Sequence, residues 1–274
     1  MQFTIDTERC ISCGLCVQDC PVSAITMGKV PRLTGAQRCI RCQHCLAICP
    51  TGALSILGVD PDHCTLLKGN LPDPEKLANL IQGRRSVRAY KEENVPPAVI
   101  DHLLGIVRHA PTGVNAQQVL LTVMDKRDAV LALREEIYAR IAQTQADDAP
   151  SDFTKKYLMQ ATKMWKKKNQ DIIFRGAPHF LVASAPRSAP CPVQDTHIAL
   201  SYFELMAQAM GLGTLWDGML TWCIKTIFPD IRARLNIPED HQIGYAMLFG
   251  IPSVTYRRTV QRGPANVNRV TWKA

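Results

Sequence analysis

A chain of 274 residues is long for one domain and natural for a small module joined to a domain of about 200 residues. Its hydrophobic content of 46% is that of an ordinary globular protein, no run of about 18 apolar residues offers a membrane span, and no basic-then-apolar leader precedes the first motif, so a cytoplasmic protein without a membrane partner is expected. The formal charge of +8 invites a nucleic-acid reading, which the cysteines described next remove.

The chain opens on two cysteine runs, Cys10, Cys13, Cys16, Cys20 and Cys39, Cys42, Cys45, Cys49, each closed by a proline, Pro21 and Pro50. Both read C-x2-C-x2-C-x3-C-P. Adding 29 to each cysteine of the first run gives the second, and the flanks repeat too: Arg9 answers to Arg38, and Pro21–Met27 matches Pro50–Ile56 in its small and apolar positions. Paired C-x2-C also suits zinc, but zinc takes four ligands, whereas eight arrive here in two matched sets. A cubane cluster needs thiolates converging from different sides; two-residue spacers wrap one loop around three corners, and the fourth ligand comes from elsewhere. The spacing resembles that of bacterial two-cluster ferredoxins. That resemblance implies that the fourth cysteine of each run crosses over, giving Cys10, Cys13, Cys16 and Cys49 around one [4Fe-4S] cluster and Cys39, Cys42, Cys45 and Cys20 around a second. So small a segment buries too little apolar area to fold alone, and metal ligation makes up the deficit. Eight thiolates remove about 8 charges and two oxidised cores return about 4, leaving about +4 and no case for nucleic acid as a partner.

Residues 59–78, broken by Pro61, Gly69, Pro72 and Pro74, read as a linker between a domain at 1–58 and another at 79–274. His63 beside Cys64 does not make a metal site, and Cys64, Cys191 and Cys223 read as buried or partly buried thiols. Beyond the linker, apolar residues at three- and four-residue spacing predict helices at 75–84, 96–109, 127–143, 152–173 and 195–210, the second opening on Pro96 and Pro97 and the last stopped by Gly211. Strands are expected at 118–125, 179–185 and 243–250. This interleaving implies an α/β or α+β domain with helices packed on one sheet. In the helix at 152–173, Leu158, Ala161, Trp165 and Ile172 take inward positions. Its Lys155, Lys156, Lys163, Lys166, Lys167 and Lys168 form either a solvated face or a docking surface for an acidic redox partner or anionic substrate.

Three stretches carry chemistry. Arg84, Arg85 and Arg88 surround Ser86 at the end of a helix, which suits an anion or phosphate grip as well as an exposed basic turn. The turn Ala110-Pro111-Thr112-Gly113-Val114-Asn115-Ala116-Gln117-Gln118 is rich in side-chain amides able to read the edge of a planar heterocycle. In Gly211-Leu212-Gly213-Thr214-Leu215-Trp216-Asp217-Gly218 the glycines either bring backbone amides against a cofactor or form a cap and turn.

Together and in this order these stretches resemble the flavin-dependent nitroreductase family, over roughly residues 79 to 262, with Gly250-Ile251-Pro252 followed by Arg257 and Arg258 resembling its last phosphate-binding arginines. One departure is that Gln118 and Val119 stand where many members carry proline and tryptophan. The resemblance implies an α+β fold, a sheet with packed helices in an entwined homodimer, and FMN at the subunit interface. It assigns Arg84, Arg85, Ser86 and Arg88 to the phosphate and ring edge, with Arg257 and Arg258 completing the phosphate site. Asn115 and Gln117, in the loop begun by Pro111 and Thr112, approach from the other subunit, and the backbone N–H of Asp217 or Gly218 faces flavin N5; no catalytic side chain is assigned.

Clusters move single electrons and flavin trades in one or two, so the fusion reads as a converter. The expected enzyme is an iron–sulfur flavoprotein oxidoreductase taking electrons from a low-potential ferredoxin through the clusters to FMN, and on to a nitro compound, activated alkene or quinone. In an alternative, NAD(P)H reduces FMN directly and the clusters export electrons. A third reading is a non-enzymatic electron carrier.

Overall fold

The structure is a computed structural model and describes residues 1–143, 152–168 and 170–272. Chain contacts divide it into two units: the first joins Met1–Pro72, Pro111–Gln118 and Ala189–Cys191, and the second holds Asp73–Ala110, Val119–Ser188 and the chain from Pro192 onward. Among the described residues no helix is long and apolar enough to cross a membrane.

In the first unit the 29-residue repeat of the sequence is a repeat of structure. Helix α1 (Leu15–Gln18), after strand β1 (Phe3–Ile5), leads to β2 (Ile25–Met27) and β3 (Pro31–Leu33); helix α2 (His44–Ala47) and strand β4 (Leu54–Ile56) are α1 and β2 shifted by 29. β2 pairs with β3 and β1 with β4, both antiparallel, with Ile25 opposite Leu33 and Ile5 opposite Leu54. Left-handed backbone recurs at the same interval, at Ser12 and Arg41, Gly14 and Gln43, Ser23 and Gly52. A non-glycine residue there costs about 1–2 kcal/mol, which a core of only Ile25, Leu46, Leu54, Ile56 and two cysteines does little to offset. The first linker residues are folded onto this unit, since Arg9 grips Asp62 through Nη1 and Nη2 at 2.9 and 2.8 Å.

The second unit is built on one antiparallel sheet. In chain order it comprises α3 (Pro74–Gly83), α4 (Pro97–Val107), β5 (Leu120–Met124), α5 (Arg127–Gln143), α6 (Asp152–Lys168), β6 (His179–Pro186), α7 (Pro192–Ala209), β7 (Gly213–Asp217), α8 (Gly218–Trp222), α9 (Asp230–Arg234) and β8 (His241–Gly250). The strand order is β5-β6-β8-β7. Side chains alternate along a strand. Phe180 and Val182 of β6, with Ala246 and Leu248 of β8, therefore join a core formed with α5, α6 and α8, while Leu181 and Ala183, with Met247 and Phe249, join a second core against α4 and α7. Helices thus cover both faces of the central strands, which explains why these read as nearly unbroken apolar runs.

Helix boundaries follow their caps. Asp73 accepts from Lys76 N at 3.0 Å to start α3, with Pro74 at its first position. After α7, left-handed Gly211 lets Leu212 N return to Ala207 O at 2.8 Å, closing the helix as its glycine predicts. Helix α6 stops at Lys168, short of the expected 173, because Asp171 draws the backbone elsewhere: its carboxylate accepts from Ile173, Phe174 and Gly176 N–H. Ile172 is buried in the turn that follows rather than on the helix. The segment 213–217, for which the sequence left open a backbone approach to a cofactor or a cap and turn and predicted no strand, is a strand that pairs with β8 along its whole length.

Candidate functional site

In the first unit Cys10, Cys13, Cys16 and Cys49 line one cavity, and Cys20, Cys39, Cys42 and Cys45 line another. All eight thiols are free. Among the described residues no three His, Cys, Asp or Glu side chains close on a point as ligands of one ion do. Each set of four thiols lines a common space, an arrangement that fits a multi-iron core. Backbone dipoles support thiolate character at the two cross-over positions, where Ala24 N donates to Cys20 Sγ and Ala53 N to Cys49 Sγ, each at 3.2 Å. Burial pushes the Cys49 thiol up, but the Ala53 N–H and the Thr51 hydroxyl outweigh it and its pKa is lowered. Burial raises Cys45 to about 11, a proton that metal ligation has to displace.

Three of the flavin-type stretches meet in the second unit. Ser86 and Thr214 form a parallel bridge, with Val87 N donating to Thr214 O at 2.9 Å. The same segment continues beside the C-terminal stretch, as Lys91 N donates to Ile251 O at 2.8 Å and Ser253 N to Ala89 O at 3.0 Å. Gly213 is required where these cross: a Cβ there would lie 2.6 Å from Val87 Cγ2. Gly83, Val87, Gly211, Gly213, Arg257 and Arg258 line a cavity of about 440 Å³, within the size range of cofactor pockets.

The three early arginines have different fates. Arg84 Nη1 donates to Glu204 Oε1 at 3.0 Å, and Thr214 Oγ1 donates to the same oxygen at 3.3 Å. Arg88 Nη1 donates to Ser86 O at 3.2 Å. Arg85 donates through Nη2 to Gln82 O, but its Nε is buried without a partner, a donor left over for an anion. Glu204 escaped the sequence reading, although a charge between Phe203 and Ala207 on the inward face of α7 is a signal worth heeding.

Asp217 ends β7 and caps α8, its Oδ1 accepting from Met219 N and Leu220 N at 2.8 and 2.9 Å. Its Oδ2 is buried without a partner, and burial pushes the carboxyl up to about 7. A Cβ on Gly218 would sit 2.7 Å from the Tyr245 hydroxyl, so a larger residue there would have to displace that ring's hydroxyl end. Trp216 stacks on His197 with ring centroids 5.9 Å apart and lies 5.6 Å from Tyr245, an aromatic group beside Gly218 that the sequence did not disclose.

The amide loop belongs to the first unit. Gln117 N donates to Thr112 Oγ1 at 3.0 Å, Gln117 Nε2 to Asn115 Oδ1 at 3.3 Å, and Asn115 Nδ2 to Ile40 O at 2.9 Å. Val114, Asn115 and Gln117 are all left-handed. Gly113, two residues after Pro111, packs so closely on Cys191 that a Cβ would lie 2.9 Å from its Sγ.

Elsewhere, Lys156, Lys163, Lys166, Lys167 and Lys168 of α6 are exposed, opposite buried Tyr157 and Ala161. The side chains of Lys155 and Leu158 lie outside the described residues. Trp165 stacks on Tyr138 at 4.4 Å. Cys64 is exposed, contrary to a buried thiol, while Cys223 is buried and raised to about 12 by that burial.

Residues 81–251 match the nitroreductase family and residues 2–50 match the 4Fe-4S dicluster domain. The chain is similar to an iodotyrosine deiodinase of Thermotoga neapolitana, 24% identical over 176 residues that span 64% of this chain and 88% of that protein. Its fold is similar to that of a nitroreductase with bound FMN from Bacteroides fragilis, with a TM-score of 0.56 and 21% identity over 71% of this chain and 99% of that one. It is also similar to NfnB, an FMN-dependent nitroreductase of Mycobacterium smegmatis in complex with NADPH, with a TM-score of 0.51 and 20% identity over 73% of this chain and 100% of that one.

Proposed function

Because the chain belongs to the nitroreductase family and carries a 4Fe-4S dicluster domain ahead of that family's domain, we propose that this FMN-dependent oxidoreductase takes electrons from a low-potential one-electron donor such as ferredoxin and gives them to a small organic acceptor, a nitro compound, activated alkene or quinone. The observation that carries the reading is the pair of four-cysteine cavities in a chain whose second unit gathers arginine- and glycine-bearing segments around a cofactor-sized space. When bound, two [4Fe-4S] clusters supply one-electron transfer and FMN supplies its coupling to two-electron chemistry. Residues 1–58 form the cluster domain, 59–78 the linker and 79–274 the flavin domain.

Each group of four cysteines encloses one cluster. Arg85, Ser86, Arg88, Arg257 and Arg258 hold the phosphate, while Arg84 divides its five N–H donors between the phosphate side and Glu204. Asp217 fixes the first turn of α8 so that the Gly218 backbone can approach the ring. In a homodimer, Asn115 and Gln117 reach the ring edge from the second copy. Two donors each lose one electron, and the acceptor gains both electrons together with two protons from solvent. Direct reduction by NAD(P)H is the second reading, favoured by the NADPH complex of the similar M. smegmatis enzyme.

Anaerobic stopped-flow absorbance on the full-length protein separates them. Reduced ferredoxin is expected to bleach the flavin band rapidly and NADPH slowly. Rapid bleaching by NADPH, with cluster reduction following it in freeze-quenched EPR samples, would falsify the proposed direction of flow.

A further inference from the structure

The repeat makes the two cysteine runs controls for one another, and around the first spacer of each run they differ in exposure. Ile11 and Ile40 occupy equivalent positions, each directly after the first cysteine of its run. Ile11 is 65% exposed and Cys13 is exposed as well, whereas Ile40 and Cys42 are only half-exposed. The difference has a visible cause. Asn115 Nδ2 donates to the Ile40 carbonyl at 2.9 Å, and Gln117 Nε2 holds Asn115 Oδ1 at 3.3 Å, so the amide loop is fastened to the spacer between Cys39 and Cys42. That fastening is maintained against strain, because Val114, Asn115 and Gln117 are left-handed without being glycine. A run covered by the loop proposed to touch the flavin, facing a twin open to solvent, gives the pair a direction.

Resting on the function proposed above, we infer that external electrons arrive at the first run, Cys10, Cys13 and Cys16, and leave for the flavin from the second, Cys39, Cys42 and Cys45, with Asn115 the positioning residue that joins the second run to the flavin-edge loop. Electron tunnelling falls exponentially with distance, so the group sharing a hydrogen-bonded loop with the acceptor site is the one that exchanges with it. A diffusing protein donor must approach the exposed twin. Each donor loses one electron at the first run; two such transfers satisfy one acceptor, which takes its two protons from solvent.

The test uses full-length protein loaded anaerobically with clusters and FMN. Asn115→Asp sets a carboxylate oxygen against the Ile40 carbonyl where an N–H now donates, and added negative charge disfavours the reduced cluster. Potentiometric titration read by EPR, with signals assigned by Cys13→Ser and Cys42→Ser, is expected to show the second run's cluster about three- to tenfold less reduced at a fixed potential and the first unchanged. Ile11→Asp, with iron and sulfide content intact, is expected to slow reduction by reduced ferredoxin about fivefold or more. A shift confined to the first run, no shift at all, or an unaltered ferredoxin rate in Ile11→Asp would overturn the order. Failure of ferredoxin-reduced wild-type clusters to reduce the flavin would instead bring down the functional reading, and the order with it.

Discussion

Removing Arg84 tests how far the site depends on a buried ion pair. Glu204 is 8% exposed, and one of its oxygens takes both the Arg84 guanidinium at 3.0 Å and the Thr214 hydroxyl at 3.3 Å. Arg84→Met leaves that carboxylate with a hydroxyl alone. Breaking a fully buried pair from one side costs about 3–5 kcal/mol, and since Arg84 keeps a quarter of its side chain in solvent, a smaller loss of about 2–3 kcal/mol is expected. For a domain of this size each kcal/mol moves the melting temperature by about 2–4 °C, so a fall of about 4–12 °C should follow. Glu204→Gln keeps an acceptor and should cost about 1 kcal/mol. Pairing Arg84→Met with Glu204→Leu should recover much of the loss, with a coupling energy of about 1–3 kcal/mol. Far-ultraviolet circular dichroism melts of anaerobic protein at saturating FMN measure this, the flavin held constant because a bound ligand itself raises the melting point. A fall under about 2 °C, or additive effects in the double variant, would refute the reasoning.

Anaerobically prepared protein should contain about eight iron and eight labile sulfide per chain, and Cys20→Ala and Cys49→Ala should each damage the cluster held mainly by the opposite run, as Mössbauer spectra will register; zinc without sulfide contradicts this. Arg257→Ala should weaken FMN by about 1.5–3 kcal/mol in a fluorescence titration, and unchanged affinity would place the phosphate elsewhere. His179 is buried, its Nε2 accepts from Val95 N at 2.8 Å, and burial holds it down to about 4 against an ordinary 6.5. The unfolded chain therefore binds the proton first, so this contribution is whole above pH 6.5 and fades as pH falls toward 4, with about 2 kcal/mol gone by pH 5. Urea midpoints from pH 7.5 to 5 should drop less steeply in His179→Gln, and parallel slopes would count against the assignment.

What the sequence made legible was whatever is local or periodic. The cysteine spacing, the 29-residue repeat, the apolar runs of β6 and β8 and the glycine stop of α7 each bear their cause within a few residues. What escaped depends on distant partners. β7 is a strand because Gly213–Asp217 lies along β8, 30 or so positions away, and five residues between a glycine turn and a helix show no period of their own. The end of α6 was lost because Asp171 and the Tyr138 hydroxyl take over the following N–H groups, a choice made across 34 residues. At the candidate site, the arginines suit an anion grip or an exposed basic turn, but Glu204 lies 120 residues from the Arg84 it binds, and no local pattern tells that Asn115 will meet Ile40.

β7 stands at the margin of its sheet, and the side turned away from β8 is occupied by Ser86 and Val87, neighbours of Arg84, Arg85 and Arg88. A bare margin is a template onto which another molecule can add a strand. The stretch proposed to grip the phosphate is therefore also the guard against self-association, and the two duties share one seat of backbone hydrogen bonds. Chains deprived of flavin should consequently be the ones that clump, and FMN supplied during refolding should act as a solubilising agent before it acts as a redox one.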